Sequence, residues 1–221
     1  MTVDEPARWD AQAGAYDRSY DDPRAGRLVR ARLETALELI GDGPGRVLDT
    51  GMGGGRLLEA LSARGWTVIG ADVSEAMVEL ARRRVPDSSL HVAPVEELPF
   101  EDGSFDAVAA LGVLEFATDV DAALRELARV LRPERRAVVS WPSFGSPYTA
   151  WRGGVVYRLA RALGRPAPPP ARHVIPPGEF AARLRGAGLV PEREILLAPN
   201  GARTRAGALA AQRVFSTGKA G

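Results

Sequence analysis

The stretch VLDTGMGGGRLLEAL, Val47 to Leu61, constrains this chain more than any other. A short apolar run ends in an acid, a glycine-dense turn follows, and a run with helical spacing comes after it. Glycines between a strand and a helix let the backbone approach a ligand closely. They also place that ligand at the switch point of a doubly wound sheet. Such a turn needs further strands and helices in alternation around it.

The rest of the chain supplies them. The first 45 or so residues read as helical, and ARLETALELI carries apolar residues at helical spacing. GDGPG breaks the chain, and RVLD is a short buried strand. GRLLEALSARG reads as a helix ending at Gly65, WTVIGAD as a second strand, and SEAMVELARRR as a second helix with Ser74 as its N-cap. SLHVAPVEEL gives a third strand and its exit. FDAVAALGVLEF reads as a fourth strand, nearly all apolar, as a strand covered on both faces should be. DVDAALRELARVL is an amphipathic helix stopped by Pro133, and RAVVSWP is a fifth strand. After Pro142 the rhythm changes. A segment with a short helix leads into the Pro-rich PAPPPARHVIPP, which reads as a cap over a site. A helix in GEFAARLRGAGL and a strand pair in VPEREILLAP and ALAAQRVFSTG close the chain.

This alternation predicts an α/β fold: a doubly wound, Rossmann-like, mostly parallel sheet with helices on both faces. The 221 residues fit one domain. Its parts are a helical N-terminal lid (1–45), a cofactor-binding core (46–142), a cap insertion (143–178), and a C-terminal helix with a strand pair (179–221).

Composition narrows the chemistry. With no cysteine, disulfides, thiolate zinc sites and cysteine nucleophiles are excluded. No metal-ligand cluster is visible, so no metal is expected. A net charge of +1 argues for neither nucleic acid nor a membrane surface as partner. Arginines alternating with acids along the helices read as solvated faces. The apolar run AVAALGVLEF is too short to span a membrane, and MTVDEPARWD is too polar for a signal peptide. A cytoplasmic enzyme is the expectation.

Two features say what the glycine turn holds. The dinucleotide pattern G-x-G-x-x-G fails, because Arg56 stands at its third glycine; the chain reads D-x-G-x-G-x-G through Asp49, Gly51, Gly53 and Gly55. Asp72 ends the second strand beside that turn, where a carboxylate accepts hydrogen bonds from both hydroxyls of a ribose. The implied ligand is a ribose without a pyrophosphate.

At this point VLDTGMGGG, VIGADVSEAMVELAR, LPFEDGSFDAV and VLEFATDVDAALRELARVLRP resemble the class I S-adenosylmethionine-dependent methyltransferases, in their small-molecule type 11 group. The resemblance covers about residues 8 to 142. It implies a seven-stranded sheet whose last strand is antiparallel, with S-adenosylmethionine as cofactor and S-adenosylhomocysteine as product. It also implies roles. Gly51 and Gly53 would lie against the methionine and ribose, with Asp49 shaping the turn and Asp72 on the ribose hydroxyls. Val73 and Met77 would border the adenine, the Val95 backbone and Glu96 its edge, and Leu111 the methionine amino group. Tyr16 resembles the aromatic that closes over the cofactor. Two departures stand out: Pro94 replaces the acid of the common G-D-A-E motif, and Phe116 replaces a histidine after Glu115.

Methyl transfer from a sulfonium needs an acceptor held in line and water excluded. An oxygen acceptor also needs somewhere to put its proton. Glu115 and His173, which sits in the cap, are the candidate bases, while His91 reads as structural. Trp9, Tyr20, Phe116, Tyr148, Trp151 and Tyr157 are candidates for the acceptor pocket, and Trp141 and Phe144 belong to the same aromatic set. The expected function is O- or N-methylation of a small molecule in specialised metabolism by a monomer or homodimer. The alternatives are a peptide or protein N-methyltransferase and a non-methylating binding protein or cyclase of the same fold.

Overall fold

A computed structural model describes residues 5–23, 26–143, 159, 162–163, 172–173, 175–205 and 210–219. Helices α1 (Glu5–Ser19) and α2 (Arg27–Ile40) precede β1 (Arg46–Thr50). Then come α3 (Arg56–Ser62), β2 (Thr67–Asp72), α4 (Glu75–Arg84), β3 (Ser89–Val92) and β4 (Phe105–Ala110). A 3₁₀ turn (Leu114–Phe116), α5 (Val120–Val130), β5 (Leu131–Pro142), α6 (Pro177–Gly186), β6 (Leu189–Leu197) and β7 (Gln212–Lys219) follow.

The seven strands form one sheet in the order β3-β2-β1-β4-β5-β7-β6. β1 pairs in parallel with β2 and β4, and β7 runs antiparallel to both β5 and β6. The glycine turn therefore leaves β1, an interior strand, where the strand order reverses between β1 and β4. The expected doubly wound sheet with an antiparallel last strand is what the chain forms.

Strand side chains alternate between two cores. Leu48, Ile69, Val108, Val139 and Phe215 pack on the face covered by α5 and α6. Their neighbours Val47, Val68, Ala107, Val138 and Val214 pack on the face covered by α2 and α3. A period of two with both faces buried explains why these strands are apolar throughout.

Some boundaries differ from the sequence reading, each for a local reason. The fourth strand ends at Ala110 rather than Phe116. Gly112 turns the chain at φ 71°, its N–H goes to the Ser140 hydroxyl at 2.8 Å, and the 3₁₀ turn follows. Helix α3 ends at Ser62, and Gly65 (φ 85°) carries the reversal into β2. Helix α5 ends at Val130, before Pro133 is reached: Leu131 is already extended and pairs with Phe105. Pro133 disfavours helical backbone at the residue before it as well. Ser74 caps α4 as expected, its hydroxyl accepting the Met77 N–H at 3.2 Å.

Trp141 is core, not cap. Its side chain is fully buried, stacks on Phe180 with centroids 4.2 Å apart, and donates its indole N–H to the Ile175 carbonyl at 3.0 Å. Phe144, Tyr148, Trp151 and Tyr157 lie outside the described residues.

Candidate active site

The glycine turn is built around Asp72. The N–H groups of Gly51 and Met52 both donate to the Ala71 carbonyl, at 2.8 and 3.2 Å, which ties the end of β1 to the end of β2. The Asp72 carboxylate accepts the Gly53 N–H on one oxygen and the Ser74 N–H on the other, each at 2.9 Å. Each oxygen keeps a second lone pair for a ligand hydroxyl. Gly51 sits at φ 68°, and a Cβ on it would stand 2.5 Å from Val113. No other residue fits there without moving the wall opposite.

Tyr16, Gly51, Gly53, Asp72, Val73 and Met77 line a cavity of about 180 Å³. Pro94, Val95 and Glu96 border it from the exit of β3, and Trp9 and Phe116 stand on its wall edge to face, centroids 5.2 Å apart. A second recess of about 30 Å³ shares Tyr16, Gly51 and Gly53 and takes in Asp49, Leu111 and Tyr20. Tyr20 thus lies in the inner recess rather than in the larger cavity. The Glu96 carboxylate is used locally, accepting the backbone N–H groups of Thr118 and of Asp119, the latter at 3.3 Å.

Both candidate bases stand behind the wall. Glu115 is buried and is not among the residues lining either space. One of its carboxylate oxygens has no hydrogen-bond partner among the described residues. Burial pushes its carboxyl up to about 7. Its backbone carbonyl accepts the N–H groups of Arg172 and His173, at 2.8 and 3.3 Å. The His173 ring completes this joint, with Nε2 2.8 Å from the Ala117 carbonyl. A carbonyl only accepts, so Nε2 carries the proton there. His91 meets Ser89 at 2.9 Å and the edge of Phe100, a structural pairing.

Arg32 is the candidate site residue the sequence reading passed over. It is only 5% exposed, and its guanidinium donates to Gln212 Oε1 and to the Tyr16 hydroxyl, both at 3.3 Å. It lines the inner recess and lies against Gly112, where a Cβ would be 2.3 Å from Nη1. Asp49, below the turn, is pushed up to about 8, chiefly by burial and then by the nearby Asp72. A signal for Arg32 existed: Leu28, Arg32, Thr35, Ala36 and Leu39 fall on one face of α2, so the arginine interrupts an apolar stripe. Reading the arginines as solvated faces holds for Arg82 with Glu79, but not for Arg32, Arg56 or Arg84, which bond across the fold.

Among the described residues no three His, Asp or Glu side chains group to hold a metal, and no helix is long and apolar enough to cross a membrane.

Comparison with known proteins agrees with this geometry. Residues 48–139 match the methyltransferase domain family. A demethylmenaquinone methyltransferase of Renibacterium salmoninarum is 32% identical over 172 residues, covering 76% of this chain and 72% of that one. A ubiquinone biosynthesis O-methyltransferase of Xanthomonas axonopodis is 34% identical over 189 residues, covering 82% and 74%. A solved S-adenosylmethionine-dependent methyltransferase of Thermotoga maritima superposes with a TM-score of 0.72 at 20% identity, covering 96% of this chain and 98% of that one, and shares the fold. The chain belongs to the class I S-adenosylmethionine-dependent methyltransferases. It is an enzyme of that class, and S-adenosylmethionine is its cofactor.

The site fits that group. Glycines whose Cβ atoms would fill the turn leave room beside it, and the Asp72 carboxylate lines the cavity there, where it could accept from ribose hydroxyls. Val73, Met77 and Val95 supply an apolar slot.

Proposed function

We propose that this enzyme methylates an oxygen or nitrogen of a small, flat, largely apolar molecule of the kind found in specialised metabolism. One observation carries the reading: the Trp9–Phe116 pair forms an aromatic wall in the same cavity that holds the Asp72–Gly53 corner. An acceptor lying on that wall meets rings and methyl groups rather than charges, which suits a flat apolar substrate. The relatives named for menaquinone and ubiquinone biosynthesis support a small-molecule acceptor.

The residues divide the work. The cofactor supplies an activated methyl on a sulfonium. Asp72 takes the ribose hydroxyls, while Val73, Met77 and Val95 enclose the base. Arg32, the buried cation of the inner recess beside Asp49, takes the methionine carboxylate. The N-terminal helix brings Trp9 and Tyr16 over the cavity and excludes water. Rate then comes mainly from orientation. Glu115 and His173 act from behind the wall by holding the 3₁₀ turn and the residues before α6 together.

The test is incubation with methyl-labelled cofactor and a panel of phenols, hydroxyquinones, amines and a basic peptide. Label in the aromatic hydroxyl or amine compounds is expected. Label in the peptide alone would transfer the reading to a peptide methyltransferase.

A further inference from the structure

Two further features of the glycine turn border the inner recess: the extra glycine, Gly54, and Arg56, where a dinucleotide turn has its third glycine. Both meet Asp17 of α1. The Asp17 carboxylate takes Arg56 Nε at 3.1 Å and Arg84 Nη2 at 3.1 Å, with Arg84 Nη1 at 3.3 Å from its other oxygen. Arg84 also donates to the Gly54 carbonyl and pairs with Glu59 at 3.4 Å. A Cβ on Gly54 would stand 2.6 Å from Asp17 Oδ1, so only glycine lets the carboxylate in. Arg56 reaches further along the same segment, to the Asp17 carbonyl at 3.1 Å and Asp21 Oδ2 at 2.9 Å, and lies over the Tyr20 ring at 5.0 Å.

The other half of α1 is held the same way. Asp10 accepts the Ser74 hydroxyl at 2.6 Å and the Ala76 N–H at 3.1 Å, at the start of α4. Apolar anchorage is thin: of residues 6–19, Ala13 alone is buried outright. Charged contacts at Asp10 and Asp17 therefore hold both halves of this helix, alongside the half-buried Trp9 and Tyr16. What they keep down is Tyr16, next to Asp17, whose ring lies 3.5 Å from where a Gly53 Cβ would be, and Trp9 on the cavity wall.

We propose that Arg56 and Arg84 are positioning residues that latch α1 over the cofactor through Asp17, so that the latch sets how fast the cofactor and its product leave. Neither arginine needs to touch the reacting atoms. Their contribution passes through Tyr16 and Trp9, which reach the cavity only while α1 is down. Partly exposed ion pairs weaken as salt rises, so the latch responds to ionic strength.

The experiment has three arms on the full chain. Release of S-adenosylhomocysteine is followed by stopped-flow tryptophan fluorescence, from about 0.05 to about 0.5 M salt. In the wild type the off-rate rises with salt, and that arm needs no variant to fold. In Arg84→Gln and Asp17→Asn the low-salt off-rate and KM rise roughly tenfold, kcat falls less than about threefold, and the salt response flattens. The third arm measures amide exchange of residues 8–18 without cofactor and expects faster exchange in both variants. Because that arm uses no ligand, a failed latch is told apart from a misplaced cofactor. A wild-type off-rate indifferent to salt, or folded variants with unchanged exchange and off-rate, overturns the proposal.

Discussion

The Asp72 carboxylate holds the Gly53 N–H at 2.9 Å, so the group proposed to receive the ribose also fixes the turn beneath it. On that proposal, ligand recognition and turn geometry share one side chain.

Asp72→Asn keeps the shape but sets an amide NH₂ against a backbone donor. Each charge-assisted hydrogen bond is worth about 1.5–3 kcal/mol. S-adenosylmethionine affinity by calorimetry is expected to fall roughly 100-fold. NAD is expected to give no heat with either protein. Binding within about threefold of wild type would take the ribose away from Asp72.

Arg32→Gln separates the ends of the cofactor. If the guanidinium takes the methionine carboxylate, S-adenosylhomocysteine affinity falls roughly tenfold to 100-fold. Methylthioadenosine, which lacks that carboxylate, binds as before. Equal losses for both ligands would mean the substitution disturbs the turn instead.

Glu115 makes stability depend on pH. Its carboxyl is raised from 4.5 to about 7, mainly by burial. The folded state then binds the proton more tightly than the unfolded chain does. Stability is fullest below about pH 4.5 and declines as pH rises toward about 7, by on the order of 3 kcal/mol. Urea melts of Glu115→Gln should show that slope reduced and the midpoint at pH 8 raised. An unaltered slope would assign the pH dependence elsewhere, with Asp49 next in line.

His173→Ala tests the joint behind the wall. With Nε2 committed to the Ala117 carbonyl, its loss loosens the 3₁₀ turn, so KM for the acceptor rises. The pH profile of kcat keeps its shape. Loss of a limb near pH 6–7 would instead make His173 the base.

Most of the scaffold was legible because each strand and helix announces its own period. The Val47–Asp49 strand, the Ser74 cap and the amphipathic α5 depend on neighbours within a few residues. The spacing of Gly51, Gly53 and Asp72 marked a turn that the structure does bring together, with the Gly53 N–H on the Asp72 carboxylate. Arg56 was not legible: its partner Asp17 lies 39 positions away, and Arg84 reaches the same acid across 67. Charge patterning along a helix reports local pairs such as Glu79 with Arg82. It cannot report which arginine a fold will turn inward. Trp141 misled for a related reason, since an aromatic at the end of a buried strand looks the same whether it faces a ligand or Phe180.

The placement of β7 between β5 and β6 has a consequence for synthesis on the ribosome. β6 is made before the strand that will pair with it, and β5 waits with an open edge for the same partner. At about 5–20 residues per second, the stretch from Leu197 to Lys219 takes on the order of seconds to appear. During that interval the half of the sheet that buries Trp141 and Phe180 has no centre. The half built from β1 to β4 with its helices is synthesised long before. The sheet is therefore closed last, and that late gap is where a misfolding partner would enter.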